Sequence, residues 1–267
     1  MVSDGGRQTS EAPQVDGDRA VSPVFLILLI AVLLLAVAMV WRPDYARGLA
    51  FPFVLLGYLI ALCLHEFGHA IIAYHCGDRT VRAKGYLTLN LLHYTNAQYS
   101  ILLPLVIMAI GGIGLPGGAV YINSSLLRRR FYSSLVSAGG PLLTAAVLAL
   151  LMLVLKGGAQ SLAAAPVLQA SLAFLAMLQV TALLFNLIPC PGLDGWGIIA
   201  PFLPQSARNL GRRLAPVAPL LMLAALIYVP GLNSMLWGAI FRSCEFVGLD
   251  PRLAYRGYLV FQFWRGI

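Results

Sequence analysis

Long apolar runs separated by short polar connections organise this chain. Val24 to Trp41, Phe51 to Tyr74, Ser134 to Leu155 and Leu168 to Ile188 each approach the roughly 20 residues that cross a bilayer as a helix. Trp196 to Leu203, Leu214 to Val229 and Leu232 to Phe241 are further apolar stretches, and their pattern does not fix how many crossings they make. Ile101 to Ile110 is too short for a span, contains Pro104 and runs into glycines, which reads as a re-entrant loop. Residues 1–22 are polar, without apolar periodicity, and read as a disordered tail. The prediction is an all-α polytopic membrane protein: a helical bundle of about six transmembrane segments with a re-entrant loop. The bundle occupies 23–242, and 243–267 is a C-terminal tail.

Composition agrees with a lipid-embedded chain. Of 267 residues, 60% are hydrophobic and only 10% charged, against about one quarter charged in soluble domains. The net charge of +8 could suggest nucleic acid. The basic residues, however, sit in short groups between apolar runs, where anchoring on the cytoplasmic side explains them, so no nucleic-acid partner is expected. Ala36-Val37-Ala38 imitates a signal-peptide cleavage site, yet four acids precede the run against two arginines, which favours an uncleaved first helix. Cys63, Cys76, Cys190 and Cys244 show no CxxC spacing and read as small apolar fillers.

The ten acidic residues locate the chemistry. Asp4, Glu11, Asp16 and Asp18 fall in the N-terminal tail, and Asp44, Asp78, Glu245 and Asp250 fall in polar connections or near the C-terminus. Glu66 lies inside an apolar run, and Asp194 directly follows another. An ionisable group at membrane depth costs at least ~2.5 kcal/mol on insertion scales and calls for a partner; a metal cation would serve both. His65-Glu66-Phe67-Gly68-His69 has the form HExxH. Four residues on a helix return to about 40° of rotation, so both imidazoles can face one Zn²⁺, with Glu66 near enough to act as a base on its water. Zinc lowers the pKa of such a water towards ~7 and polarises a carbonyl, so the chemistry implied is peptide hydrolysis.

A catalytic zinc usually takes three protein ligands. His75 has the spacing of the HExxHxxGxxH pattern, but Ile72 stands where the turning glycine belongs, and an unbroken helix points His75 away from the pair. His93 has no spacing argument. Asp194 is the strongest candidate. It stands in Asn186-Leu187-Ile188-Pro189-Cys190-Pro191-Gly192-Leu193-Asp194-Gly195, whose prolines and glycines cannot continue a helix and can turn a carboxylate back. The same P-G-x-D-G is also good chemistry for an ordinary exposed turn, and the residues alone leave both readings open.

HEFGH followed by NLIPCPGLDG resembles the site-2 protease family of intramembrane zinc metalloproteases, whose pattern pairs HExxH on one helix with an N-x-x-P-x-P-x-L-D-G element on another. The resemblance covers roughly Phe51 to Leu203. It implies one zinc ion held by His65, His69 and Asp194, with Glu66 as catalytic base and Asn186 assisting at the oxyanion. Ser137-Ala138-Gly139-Gly140-Pro141 is similar to the family's G-P helix start, although Thr144 stands where the family often has asparagine. No stretch between the motifs could form the PDZ domain many relatives insert, so a compact member is expected. Gly111 to Ile122 falls where the family has re-entrant, strand-containing structure, so the loop can contain a strand, which could hold an unwound substrate by backbone pairing; a glycine-rich helix contact is the other reading.

The zinc reading requires His65, His69 and Asp194 at one depth, hence the re-entrant loop between the first two apolar helices and the Ser134 helix. Basic residues test this. With the loop, Arg7, Arg19, Arg79, Arg82, Lys84, Arg128, Arg129, Arg130, Arg208, Arg212 and Arg213 share one side, eleven against Arg42, Arg47 and Lys156; a single crossing would divide them eight to six. The expected protein is a multi-pass plasma (inner) membrane protease with N-terminus and active site towards the cytoplasm. It would cut a transmembrane protein substrate in regulated proteolysis; its oligomeric state is left open. Two competitors are a membrane-anchored protease acting at the water interface, which would need a polar catalytic domain, and a non-hydrolytic zinc-binding membrane protein or transporter. Glu66 discriminates against the last, because transport does not need an acid beside the first ligand.

Overall fold

The computed structural model describes residues 21–93, 126–262 and 264. Among them every regular element is helical: α1 (Pro23–Trp41), α2 (Ala46–Cys76), α3 (Thr80–Ala83), α4 (Tyr132–Gly157), α5 (Ala159–Ala163), α6 (Pro166–Leu187), α7 (Asp194–Ile199), α8 (Gln205–Leu214), α9 (Ala218–Tyr228), α10 (Pro230–Val247) and α11 (Pro251–Phe261). The sequence punctuates these helices locally. Ser22 caps α1, its hydroxyl accepting from the Val24 N–H at 3.2 Å, and Pro23 opens the helix. Gly77, at φ +125°, ends α2 in a conformation that favours glycine. Pro166 opens α6, and Ile188 leaves it in extended conformation before Pro189.

Four helices, α1, α2 with its preceding turn, α4 and α6, are long and apolar enough to cross a bilayer, and a bent pair, α8 with α9 at 69°, makes a fifth if counted as one span. About six were expected, and the predicted re-entrant and strand segments, Ile101 to Ile110 and Gly111 to Ile122, lie outside the described residues. Burial separates the roles. In α6, 72% of the spanning window is buried, against 11% in α1, so α6 is the axis of the bundle and α1 presents Ile27, Ile30, Leu33 and Leu34 outward for lipid.

The ends of the helices sort onto two faces. The Arg128 N–H donates to the Cys76 carbonyl at 3.3 Å, and the Ser22 N–H donates to the Thr88 carbonyl at 2.6 Å. The chain therefore leaves α2 and returns to the same end of it before starting α4, and α1 begins at that end too. This is the no-net-crossing arrangement that the zinc reading required and the charge count favoured. At the opposite end Lys156 Nζ donates to the Val247 carbonyl at 3.4 Å, and Arg47 and Arg256 line one cavity. Among the described residues the first end holds nine basic side chains, Arg79, Arg82, Lys84, Arg128, Arg129, Arg130, Arg208, Arg212 and Arg213. The far end holds five, Arg42, Arg47, Lys156, Arg252 and Arg256, and Arg242 lies in the half of α10 that leads to it.

Of the predicted C-terminal tail, residues 243–261 finish α10 and form α11, which Asp250 caps through the Arg252 N–H at 2.9 Å. This amphipathic helix docks on α6. Phe261 is buried beside Phe174 and Phe51, with ring centroids at 5.4 and 5.0 Å, and a Cβ on Gly257 would overlap the Ala170 carbonyl. Asp78, read from sequence as a residue of a polar connection, is fully buried; its Oδ1 accepts from the Thr80 N–H and hydroxyl at 3.0 and 2.6 Å and so holds the start of α3. Gly257→Leu is expected to separate α11 from α6 and lower stability by about 1–3 kcal/mol through overpacking, read as unfolding in detergent; Tyr255→Leu, on the exposed side of α11, should leave it unchanged.

Candidate metal centre

Three helices make the site by approaching closer than side chains would allow. Gly68 of α2 faces Gly139 of α4, where a Cβ on either would overlap the other's carbonyl. At the next residue, a Cβ on Gly140 would fall on the Nε2 atoms of both His65 and His69. The Ser137-Ala138-Gly139-Gly140-Pro141 segment is thus the floor on which the two imidazoles lie. α2 stays helical through Cys76, so His65 and His69 share a face, ring centroids 4.8 Å apart.

The second half of the site arrives through the broken backbone after α6. Gly192 takes φ +97°, and Gly195 packs where a Cβ would overlap the Leu187 and Ile188 carbonyls, so the chain doubles back and starts α7 at Asp194. α7 is pinned across α4 by the Ser134 hydroxyl donating to the Ile198 carbonyl at 2.6 Å. Asp194 consequently presents Oδ2 3.2 Å from His65 Nε2 and Oδ1 3.3 Å from His69 Nε2.

Hydrogen bonding decides what these atoms offer. The Val136 carbonyl can only accept, so His69 carries its proton on Nδ1, which donates at 2.8 Å. The Thr144 hydroxyl donates to the Gly140 carbonyl at 3.2 Å and is left to accept from His65 Nδ1–H at 2.9 Å. Both imidazoles therefore aim a lone pair from Nε2 at the same point, 3.2 Å from one another. Asp194 Oδ2 is buried with no hydrogen-bond partner. Two nitrogen lone pairs and a carboxylate repel one another; a proton between His69 and Asp194 would relieve one contact and leave the His65 contacts unrelieved. A cation relieves all three. Tetrahedral ligands at 2.0–2.1 Å from zinc lie roughly 3.3 Å from each other, which is the spacing observed, and the donor set of two imidazoles and a carboxylate suits zinc.

The remaining predicted residues divide. Glu66 is buried and lines the same cavity, about 80 Å³, room for a few waters, together with Tyr58, Gln179 and Asn186. Asn186 of α6 brings Nδ2 to 3.5 Å from His65 Nε2, at the edge of the cluster. His75 is exposed against Tyr74, and His93 lies over Gly85 beside Asn90; neither joins the cluster, which is His65, His69 and Asp194. Sequence reading missed Thr144 as the partner that orients His65, along with Gln179 and Tyr58 on the cavity wall. Only position could have hinted at Thr144, one helical turn after Gly140.

The chain is 42% identical to the "Putative zinc metalloprotease Rip2" of Mycolicibacterium smegmatis over 91% of this chain and 94% of that protein. It is 37% identical to the protein of the same name from Mycobacterium tuberculosis, over 98% of both. The chain belongs to the site-2 protease family. A more distant relative, the "Putative zinc metalloprotease YwhC" of Bacillus subtilis, is 31% identical over 59% of this chain and 72% of its own length. No family model matches the chain, and no solved structure does. Thr144 supports the site from outside the donor set. Thr144→Val is expected to weaken zinc affinity about 10–100-fold by freeing the His65 ring, measured by competition with a chromophoric chelator; Thr144→Ser should stay within a few-fold of the parent.

Proposed function

We propose that this protein is an intramembrane zinc endopeptidase that cuts a transmembrane protein substrate in or near its spanning segment. The observation that carries the proposal is the convergence, inside an apolar bundle, of two Nε2 lone pairs and a carboxylate on one point, with the buried Glu66 on the same cavity. In this reading His65, His69 and Asp194 hold the zinc. The bound ion supplies Lewis acidity, polarising the scissile carbonyl and acidifying water. Glu66 accepts a proton from the attacking water and returns it to the departing amine as the C–N bond breaks. The Asn186 amide donates to the oxygen on which negative charge develops.

A helical substrate has its carbonyls hydrogen-bonded internally, so it must unwind before it can react, and selectivity follows from that unwinding. The concentration of basic residues at the metal end supports an N-terminus and active site on the cytoplasmic side of the plasma membrane, where cleavage would release a fragment in regulated proteolysis. Co-expression with tagged single-span membrane proteins tests the assignment. Glu66→Gln is expected to cut cleavage at least 100-fold while retaining one zinc per chain. Asp194→Ala should lose zinc and cleavage together, and His75→Ala should change neither. Cleavage surviving in Glu66→Gln would sink the mechanism and favour a non-hydrolytic zinc protein; loss of zinc in His75→Ala but not in Asp194→Ala would reassign the third ligand.

A further inference from the structure

Beside α7, lined by Trp196 and Gly197, lies a third cavity of about 350 Å³. Its lining includes four arginines from two distant stretches: Arg129 and Arg130, just before α4, and Arg208 and Arg212 of α8. Trp196 and Pro201 form part of its wall. Among the described residues none of the four arginines has a carboxylate within ion-pair distance, since the only ion pairs join Asp194 to the two histidines. Residues 94–125 contain no Asp or Glu at all. Arg208 and Arg212 turn their Nη2 atoms to Gln205 and Asn209 of the same helix, and Arg208 Nε is buried with no hydrogen-bond partner.

Arg129, Arg130 and Arg212 are exposed and Arg208 is half-buried, so solvent softens but does not remove the repulsion of four like charges round one space, and the buried Arg208 Nε–H lacks an acceptor. Both faults are corrected by an anion with several oxygens, which the planar guanidinium fork suits. The position narrows its source. The cavity opens at the basic end of the bundle, where α4 begins and α7 follows α6, the level at which a bilayer presents its headgroups. Trp196 and Pro201 supply apolar wall, and Phe202 and Leu210, next along the chain to rim residues or near them, are exposed. We infer that this cavity is a specific site for the phosphate headgroup of an anionic phospholipid. Its occupancy braces α7, which begins at Asp194, between α4 and α8, where Gly211 already packs on the Trp196 ring.

The test reads binding, so it stands apart from the protease reading. Full-length protein is delipidated, and retention of phosphatidylglycerol and phosphatidylcholine is compared by native mass spectrometry, with melting followed in the matching mixed micelles. The expected result is at least tenfold preference for phosphatidylglycerol and a rise in melting temperature. Both should be lost in Arg129→Gln/Arg208→Gln and in Arg130→Gln/Arg212→Gln, and kept in Arg79→Gln/Arg82→Gln, which removes two charges at the same end but off the cavity. Melting in phosphatidylcholine confirms that at least one cavity variant is folded. Equal losses in the cavity and control variants would reduce the effect to surface charge and overturn the site. Displacement of the lipid by millimolar inorganic phosphate would reassign it to a soluble anion, and displacement by a peptide of residues 1–20, with its four acids, would reassign it to the chain's own N-terminus.

Discussion

Two imidazole lone pairs and a carboxylate aimed at one point in an apolar interior form an arrangement that hydrogen bonds alone cannot satisfy. The other bonds of each ring fix this. Val136 and Thr144 take the Nδ1 protons of His69 and His65, so neither Nε2 can turn away or become a donor without breaking a buried hydrogen bond. The protein therefore holds its donors in the geometry a cation requires, and the ligands are pre-oriented by main chain and a hydroxyl of α4 rather than by the ion itself. α4 contributes no ligand to the cluster, yet it sets the direction of two of the three.

That dependence explains where the small residues lie. The cluster needs α2, α4 and the start of α7 within reach of one point, which ordinary side chains at the crossings would prevent. Gly68 against Gly139, Gly140 beneath the imidazoles and Gly195 against the end of α6 each remove one obstruction. In lipid, where apolar side chains gain little by leaving the solvent, such close backbone contact is itself a main source of helix association. The same residues thus assemble the bundle and open the space for the site, so a bulky replacement at Gly139 or Gly140 cannot be assigned to stability or to chemistry without measuring both.

Much of this was legible from residues alone. HEFGH in an apolar run announces a metal pair, because charges at membrane depth are costly enough to stand out in any inventory. Asp194 stands out in the same inventory, but its residues read equally well as an exposed turn, and the resemblance to the site-2 protease family chooses between the two. The common side of the helix ends was legible too, through basic residues, and the return of Arg128 to Cys76 expresses it in hydrogen bonds. Thr144 was not legible. A threonine on a helix carries no signal of which partner it faces, and the substitution for asparagine only raised the question. α11 escaped for a different reason: its alternating polar and apolar residues look like a tail when read linearly, and its apolar stripe, Ala254, Gly257 and Phe261, becomes apparent only against α6. Asp78 shows the limit of inventories, since an acid in a polar connection can be buried by the turn it organises.

The division of the donor set between a regular helix and a broken backbone has a consequence for the bilayer. His65 and His69 are fixed by the hydrogen-bond ladder of α2 and can move only with the helix. Asp194 sits at the first position of α7, a six-residue helix held by one serine hydroxyl and a few glycine contacts, at the end of the bundle rather than at its middle. A carboxylate placed there is nearer to hydration from the membrane surface than one in the middle of a span, which lowers the cost of carrying it. The docking of α7 on α4 is therefore what brings Asp194 to the two histidines. The arginine-lined cavity lies against the same docking, since Trp196 and Gly197 of α7 form part of its wall.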